Sequence, residues 1–393
     1  MEGTDKTRLG RYISTAYRGE TVRAFLPPPL PPIPPIRLER VQRLLEAANQ
    51  ALGRLDGLAS VLPDLSLFIY TYIRKEAVLS SQIEGTQSSL SDLLLFEMEE
   101  MPGVPIEDVQ ETLNYVVALE HGLERVRSGE LPLSLRLIKE IHRILLSKGR
   151  GSAKQPGEFR SSQNWFGGSR PGNAAYVPPP HEEVMNCMGD LERFMHVEQD
   201  DLPTLVKAGM IHVQFETIHP FLDGNGRLGR LLITFLLCEA GVLQEPLLYL
   251  SLFLKANRQR YYDLLMKVRQ QGAWEEWTEF FLTGVRDTAQ TAVLAAQQTI
   301  HLFARDRERL QGLGRAASTA LRVHQYAQQR PLFSISRAAK QTGLSFPAVS
   351  GAVKHLTRLG ILTEATGRPR WRLYRYTEYL NLLNEGTEPI SPT

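Results

Sequence analysis

The sequence predicts a mainly α protein with one small β-hairpin, ending in a module of three short helices and a second hairpin. Three observations point there. Apolar residues recur at helical spacing over most of the chain, a glycine- and proline-rich stretch at 157–180 interrupts that rhythm, and short helical pieces with arginine-rich hairpin residues follow about Thr319. At 393 residues the chain is long enough for two or three domains of about 150 residues. Hydrophobic residues make up 42% and charged residues 22%, which supports a sizeable core and excludes global disorder. The 45 Lys and Arg against 43 Asp and Glu leave a formal charge of +2, which excludes a uniformly basic chain but not a local basic patch.

Cys187 and Cys238 are too few for a disulfide framework, so a reducing, cytoplasmic compartment is expected. The polar start Met1-Glu2-Gly3-Thr4-Asp5-Lys6 does not read as a signal peptide. The most apolar stretch, residues 228–243, is broken by Arg230 and Glu239 and falls short of the ~20 residues a bilayer crossing needs, so no membrane partner is expected.

Residues 1–37 form an N-terminal arm whose prolines cluster at 27–35, a composition that favours polyproline II and lacks amide donors. It reads as an arm packed along its own protein, with a ligand for a proline-recognition module as the alternative. From 38 to 105 the chain turns helical, with Val41, Leu44, Leu45, Ala48, Leu52 and Leu55, then Leu65, Phe68, Ile69, Tyr72 and Ile73. Between 106 and 305 helices are expected at 108–125, 135–146, 181–195, 205–215, 227–240, 258–270 and 274–304. Within that span, Gly167-Gly168 and Pro171-Gly172 separate Asn164-Trp165-Phe166 from Ala175-Tyr176-Val177, which reads as a small β-hairpin. Helices at 321–328, 335–342 and 346–359 and a closing hairpin fit a winged helix-turn-helix over 319–380, with Gly343 in the turn, Ser345 as N-cap and 381–393 as a tail.

The chemistry concentrates in Ile218-His219-Pro220-Phe221-Leu222-Asp223-Gly224-Asn225-Gly226-Arg227-Leu228-Gly229-Arg230. A loop carrying His and Asp passes through two glycines into an apolar helix, whose N-terminal amides and dipole make a ready anion site. Arg227 and Arg230 add forked donors for phosphate oxygens, Asp223 is the carboxylate expected to hold Mg²⁺ beside them, and His219 is placed to take a proton from a hydroxyl. Gly224, Gly226 and Gly229 also satisfy the dinucleotide G-x-G-x-x-G pattern, but no clear strand precedes them and no βαβ unit follows. The P-loop fails because no Lys-Ser/Thr follows the second glycine. His212 lacks the zincin spacing to His219 and reads as a packed or solvated helix residue.

Residues 219–230 match the motif His-x-Phe-x-Asp/Glu-Gly-Asn-Gly-Arg-x-x-Arg, so the chain resembles the Fic family. Two further stretches extend the likeness. Residues 74–86, Arg-Lys-Glu-Ala-Val-Leu-Ser-Ser-Gln-Ile-Glu-Gly-Thr, look like the N-terminal region of bacterial members, and Gly157-Glu158-Phe159-Arg160 opens a segment similar to the family's target-docking flap.

The resemblance implies a helical Fic core over 106–305 that transfers AMP from ATP to a Ser, Thr or Tyr hydroxyl of a target protein or of itself, releasing pyrophosphate. His219 would be the general base and Asp223 the Mg²⁺ ligand; Gly224, Asn225, Gly226, Arg227, Leu228 and Gly229 would frame the phosphates, and Arg230 would reach the γ-phosphate. Asn257 and Tyr261 stand where the family lines its adenine pocket, with structural packing as the alternative, and Phe221 reads as a packing anchor. Gln163, Asn164, Trp165, Phe166 and Gly167 would offer the docking edge, with a surface hairpin as the alternative. Ser80-Ser81-Gln82-Ile83-Glu84-Gly85 matches the family's inhibitory pattern, so Ser80 and Glu84 within 38–105 would present a carboxylate to Arg230. Family habit also implies a homodimer, and some relatives transfer phosphate or reverse the modification. A reading of another class rests on residues 346–355, which resemble a recognition helix, and on Arg368, Arg370, Arg372 and Arg375 of the wing, a set suited to DNA phosphates.

Overall fold

The computed structural model describes residues 8–17, 19–59, 65–98, 103–129, 132–197, 202–368 and 370–389. The arm brings the first departure from expectation. Residues ahead of the prolines alternate faces and pair as an antiparallel hairpin, β1 (Arg11–Tyr17) and β2 (Glu20–Leu26), in register from Arg11↔Leu26 to Tyr17↔Glu20. The prolines that follow lie along the protein: Gln214 donates to Pro28 O at 2.8 Å and Arg8 Nε to Pro34 O at 2.7 Å.

Helices α1 (Gln42–Ala59), α2 (Leu65–Ile83) and α3 (Leu90–Glu97) come next. Ser89 and Asp92 form a reciprocal capping box at the start of α3, satisfying two amides of its first turn. Two further helices, α4 (Ile106–Arg127) and α5 (Leu135–Leu145), precede the glycine-rich region, and Ser134 caps α5 through Leu137 N–H. The expected hairpin is present in minimal form, one antiparallel bridge between Phe166 and Tyr176, because Pro178, Pro179 and Pro180 supply no amide donors for a longer ladder.

The centre of the fold is the helix–loop–helix of α7 (Thr204–Ile218) and α8 (Asn225–Glu239), which follows α6 (Val184–Met195). Both are buried on nearly every side, from Leu205 to Ile218 and from Arg227 to Leu237, so these two helices are the core rather than its cover. Then come α9 (Ser251–Ala256), α10 (Arg258–Gln271), closed by Gly272 at φ +65°, and α11 (Trp274–Gln311). Helix α11 runs past the expected end at 304, because no Pro or Gly intervenes before Gly312. It packs lengthwise on α1 and continues to the C-terminal module.

That module comprises α12 (Ala317–Gln329), β3 (Leu332–Ser334), α13 (Ile335–Thr342), α14 (Phe346–Arg358), β4 (Leu362–Glu364), β5 (Leu373–Tyr376) and α15 (Thr377–Asn384). The strands form one antiparallel sheet ordered β3–β5–β4. Gly343 ends α13 at φ +67° and Ser345 Oγ accepts from Ala348 N–H at 3.4 Å to cap α14. Among the described residues no helix is long and apolar enough to cross a membrane.

Candidate active site

Helix α7 stops at His219, which adopts the left-handed conformation (φ 49°, ψ 62°) while its N–H still reaches Phe215 O at 2.9 Å. Pro220 follows and cannot continue the helix. The chain re-enters a helix after Gly224, at φ 75°, a value that suits glycine. Asn225 ties the loop between: its Oδ1 accepts from Phe221 N–H and its Nδ2 donates to Phe221 O, both at 2.9 Å. The Asn225 side chain therefore serves the loop, and what α8 turns toward an anion is its first-turn amides. Phe221 is fully buried and Leu228 lies in the core. A Cβ at Gly229 would stand 2.6 Å from Glu216 Oε1, so the glycine leaves room for the Glu216 carboxyl against α8.

Three residues to which the sequence assigns no role hold this loop. His142 stacks on Phe221 with ring centroids 3.7 Å apart; its Nδ1 accepts from Gly157 N–H at 2.8 Å, and its Nε2 donates to Asp223 O at 3.0 Å. Arg160 donates to His219 O at 3.0 Å and to Pro179 O at 2.6 Å, joining the loop to the glycine-rich region. Glu111 on α4 receives Arg227 Nη1 at 3.1 Å and Arg150 Nε at 2.7 Å. Each acts from a distant element, and only periodicity marked α4 and α5 as helices facing the core.

Burial pushes His219 down to about 3, and the cations Arg269 and Arg160 push the same way, so its imidazole is neutral near pH 7. A neutral ring is the form that accepts a proton. The Phe166 ring stands edge-on to it at 4.4 Å. Asp223 is half exposed; its Oδ1 accepts from Gly224 N–H at 2.6 Å and lies 3.7 Å from Arg227 Nη2. Gly151, at φ +87°, passes so near that a Cβ would sit 2.6 Å from Asp223 Oδ2.

The two separate sequence signals meet. Arg230, buried in α8, donates from Nε to Ser80 Oγ at 2.8 Å, from Nη2 to Ser80 O at 2.9 Å, and from Nη2 to Glu84 Oε1 at 2.7 Å. Glu84 follows the last residue of α2, in a turn closed by Gly85 at φ +99°. Its carboxylate rests on Gly226, where any side chain would collide with it.

The nucleoside end differs from expectation at Tyr261. Its ring is 1% exposed, with the hydroxyl held by His212 Nε2 at 2.8 Å and Trp277 beside it, so it offers no open face for a base. His212 is accordingly a buried partner, with Nδ1 at 3.0 Å from Gly229 O. Asn257 is half-buried and spends Nδ2 on Phe253 O at 3.0 Å, leaving its carbonyl end for other contacts.

In the glycine-rich region Gln163 donates to Pro178 O at 2.9 Å and Asn164 to Phe221 O at 3.2 Å. Gly167 sits at φ +62°, and Tyr176 OH reaches Thr217 O at 2.6 Å, which ties this segment to α7. Trp165 meets Tyr17 at 6.2 Å, and Phe25 N–H donates to Val177 O at 2.9 Å, so the N-terminal hairpin braces this segment. Among the described residues no cluster of three or more His, Cys, Asp or Glu stands ready for a metal.

A buried neutral imidazole, a glycine-framed helix N-terminus and two buried arginines thus belong to the α7–α8 junction. Residues 42–124 match the Fic/DOC family N-terminal region, and residues 132–237 match the Fic/DOC family. The chain is a Fic/DOC family protein. It is similar to the protein adenylyltransferase Fic of Aedes aegypti, 31% identical over 222 residues that cover 56% of this chain and 41% of the relative. The protein adenylyltransferase Fic of Culex quinquefasciatus is 29% identical over 222 residues, with shares of 56% and 41%. The match thus spans about two fifths of the length of these curated relatives. The fold is similar to the crystal structure of a Fic family protein from Desulfovibrio desulfuricans G20, with TM-score 0.57 and 21% identity over 90% of this chain and 98% of that one.

Proposed function

We propose that this chain transfers AMP from ATP to a Ser, Thr or Tyr hydroxyl of a target protein or of itself, and that Glu84 holds the reaction off. The observation that carries the reading is the α7–α8 junction, where a neutral His219, the free amides of α8 and Arg227 and Arg230 surround one glycine-framed point. The names of the Aedes and Culex relatives support it.

His219 takes the proton of the attacking hydroxyl, the hydroxyl oxygen bonds to the α-phosphorus, and the bond to the β-phosphate oxygen breaks, releasing pyrophosphate. The amides of α8, with Arg227 and Arg230, neutralise charge on the phosphates, which is the main task in such transfers. Asp223 fits Mg²⁺: it is a half-exposed carboxylate beside an anion site, and that ion binds through one or two carboxylates together with substrate phosphates. When bound, the ion neutralises phosphate charge. With Glu84 on Arg230, the donor for a γ-phosphate is occupied and the surface of Gly226 is covered.

Label transfer tests this. With Glu84→Gly protein, label from the α-phosphate of ATP is expected on protein and label from the γ-phosphate is not. The opposite pattern contradicts AMP transfer and indicates phosphate transfer.

A second reading concerns the module from 317 onward. The α12–α13–α14 helices and the β3–β5–β4 sheet support a winged helix-turn-helix, and α14 opens with a 54% exposed Phe346. Arg370 and Arg372 beside the 79% exposed Trp371 suit a phosphate backbone. Duplex DNA binding that weakens with salt and with Arg370→Ala/Arg372→Ala is expected; salt-insensitive or absent binding contradicts it.

A further inference from the structure

The last turn of α2 is held from outside the Fic domain. Gln82, 1% exposed, donates through Nε2 to Ser88 O at 2.9 Å and to Thr387 O at 2.8 Å. Thr387 is itself buried, in the short segment after α15, where its N–H and its hydroxyl both reach Asn384 O at 2.8 Å. Asn384 in turn donates to Ser91 Oγ at 3.3 Å, just past the start of α3. On the other side Lys255 of α9 donates to Gly386 O at 3.1 Å and to Glu388 O. Lys75, two turns before Gln82 on α2, lies over the Tyr249 ring at 4.9 Å; burial lowers its pKa to about 8, against which Glu385 and Glu388 push upward.

Residues 384–388 therefore cross from α2 to α9, from the helix whose end is followed by Glu84 to the helix whose end is followed by Asn257. Helix ends are the parts that open most readily, and Glu84 lies one residue beyond an end. Arg258 Nε adds one bond to Ile83 O at 3.1 Å and Gln87 N–H donates to Asp108 Oδ2 at 2.7 Å, and the C-terminal segment adds its own brace through Gln82. That segment leaves α15, which joins β5 at Tyr376/Thr377 without a linker, so a displacement of the C-terminal module is passed to it.

We propose that residues 384–388 are an intramolecular strap that keeps the Glu84 turn seated on Arg230, and that lifting this strap releases the turn. The proposal rests on the reading of Glu84 as a brake for its consequence on ATP, but the strap itself is tested without activity. Gly386 sits at φ +77°, and a Cβ there would stand 2.5 Å from Leu252 Cδ1, so Gly386→Val in the full chain dislodges the strap without altering α2. Lys255→Met removes two of its bonds from the other side.

Hydrogen–deuterium exchange at residues 80–86 is expected to rise about tenfold or more in both variants, with exchange across α7 and α8 unchanged. Mg-ATP affinity, read by calorimetric titration, is expected to move toward that of Glu84→Gly. Unchanged exchange at 80–86 in both variants overturns the strap. Faster exchange with no gain in ATP affinity upholds the strap and overturns the reading of Glu84 as the brake.

Discussion

Glu84 Oε1 and Arg230 Nη2 lie 2.7 Å apart, joining two stretches of sequence 146 residues distant into one part-buried ion pair. Arg230 is 2% exposed at its side chain and Glu84 35%, so the arginine is fixed and the glutamate is the partner that can leave. A buried guanidinium without a counter-anion is costly, so whatever replaces Glu84 must itself be an anion. A terminal phosphate meets that requirement.

Removing the carboxylate therefore favours ATP. Glu84→Gln, which keeps size and drops charge, is expected to tighten Mg-ATP binding by about tenfold, about 1.4 kcal/mol, the scale of one charge-assisted hydrogen bond. Glu84→Gly is expected to do at least as much. Calorimetric titration of each variant checks this, and equal affinities for wild type and variants contradict it.

His142 offers a second test. His142→Phe keeps the stack on Phe221 but leaves Gly157 N–H and Asp223 O without their partner. Two unsatisfied buried backbone groups should destabilise the fold by about 2–4 kcal/mol, and the Asp223 loop should loosen. Urea unfolding reads the first effect, and the Mg²⁺ concentration needed for half-maximal transfer reads the second.

Arg160 holds the carbonyl of the proposed base from outside the motif. Arg160→Lys retains charge but loses the planar fork that reaches His219 O and Pro179 O together. The expected result is a kcat lower by about 10- to 100-fold with little change in KM for ATP, since a misplaced base costs turnover more than nucleotide binding. Steady-state kinetics in the Glu84→Gly background separates the two.

The pattern of legibility follows from what is contiguous. The base, carboxylate and phosphate frame lie within twelve residues, and local chemistry plus family likeness located them. Glu84 stood out only by that likeness, because nothing near it in sequence shows that α2 ends on α8. His142, Arg160 and Glu111 act through contacts across 81, 59 and 116 residues, and no local pattern encodes such a pairing. The hairpin β1–β2 was hidden because the prolines after it dominate the composition of the arm. Tyr261 follows Asn257 at the right place for a nucleotide, yet its ring is packed against His212 and Trp277.

Acid should weaken the fold. Burial pushes His142, His212 and His324 down to about 4 and His219 to about 3. Unfolding returns each to about 6.5, so the unfolded chain binds protons the native one refuses, and stability falls as pH drops from about 6.5 toward 4. Burial pushes Glu76 and Glu216 up to about 7, and these act oppositely, with stability full below about 4.5 and lost as pH rises through 7. Four groups against two leave a net loss on acidification between about 6.5 and 4.5, which urea unfolding at several pH values should show. The same shift implies that transfer by Glu84→Gly protein has no acid limb near 6.5 from His219.

The most direct test of the account is intact-protein mass spectrometry of wild type, Glu84→Gly and Glu84→Gly/His219→Ala, each incubated with Mg-ATP and with a lysate-free panel of Ser-, Thr- and Tyr-bearing proteins. The account predicts mass gains of one AMP in the Glu84→Gly sample, few in wild type and none with His219→Ala. Equal AMP gains in wild type and Glu84→Gly, or gains that survive His219→Ala, would contradict it.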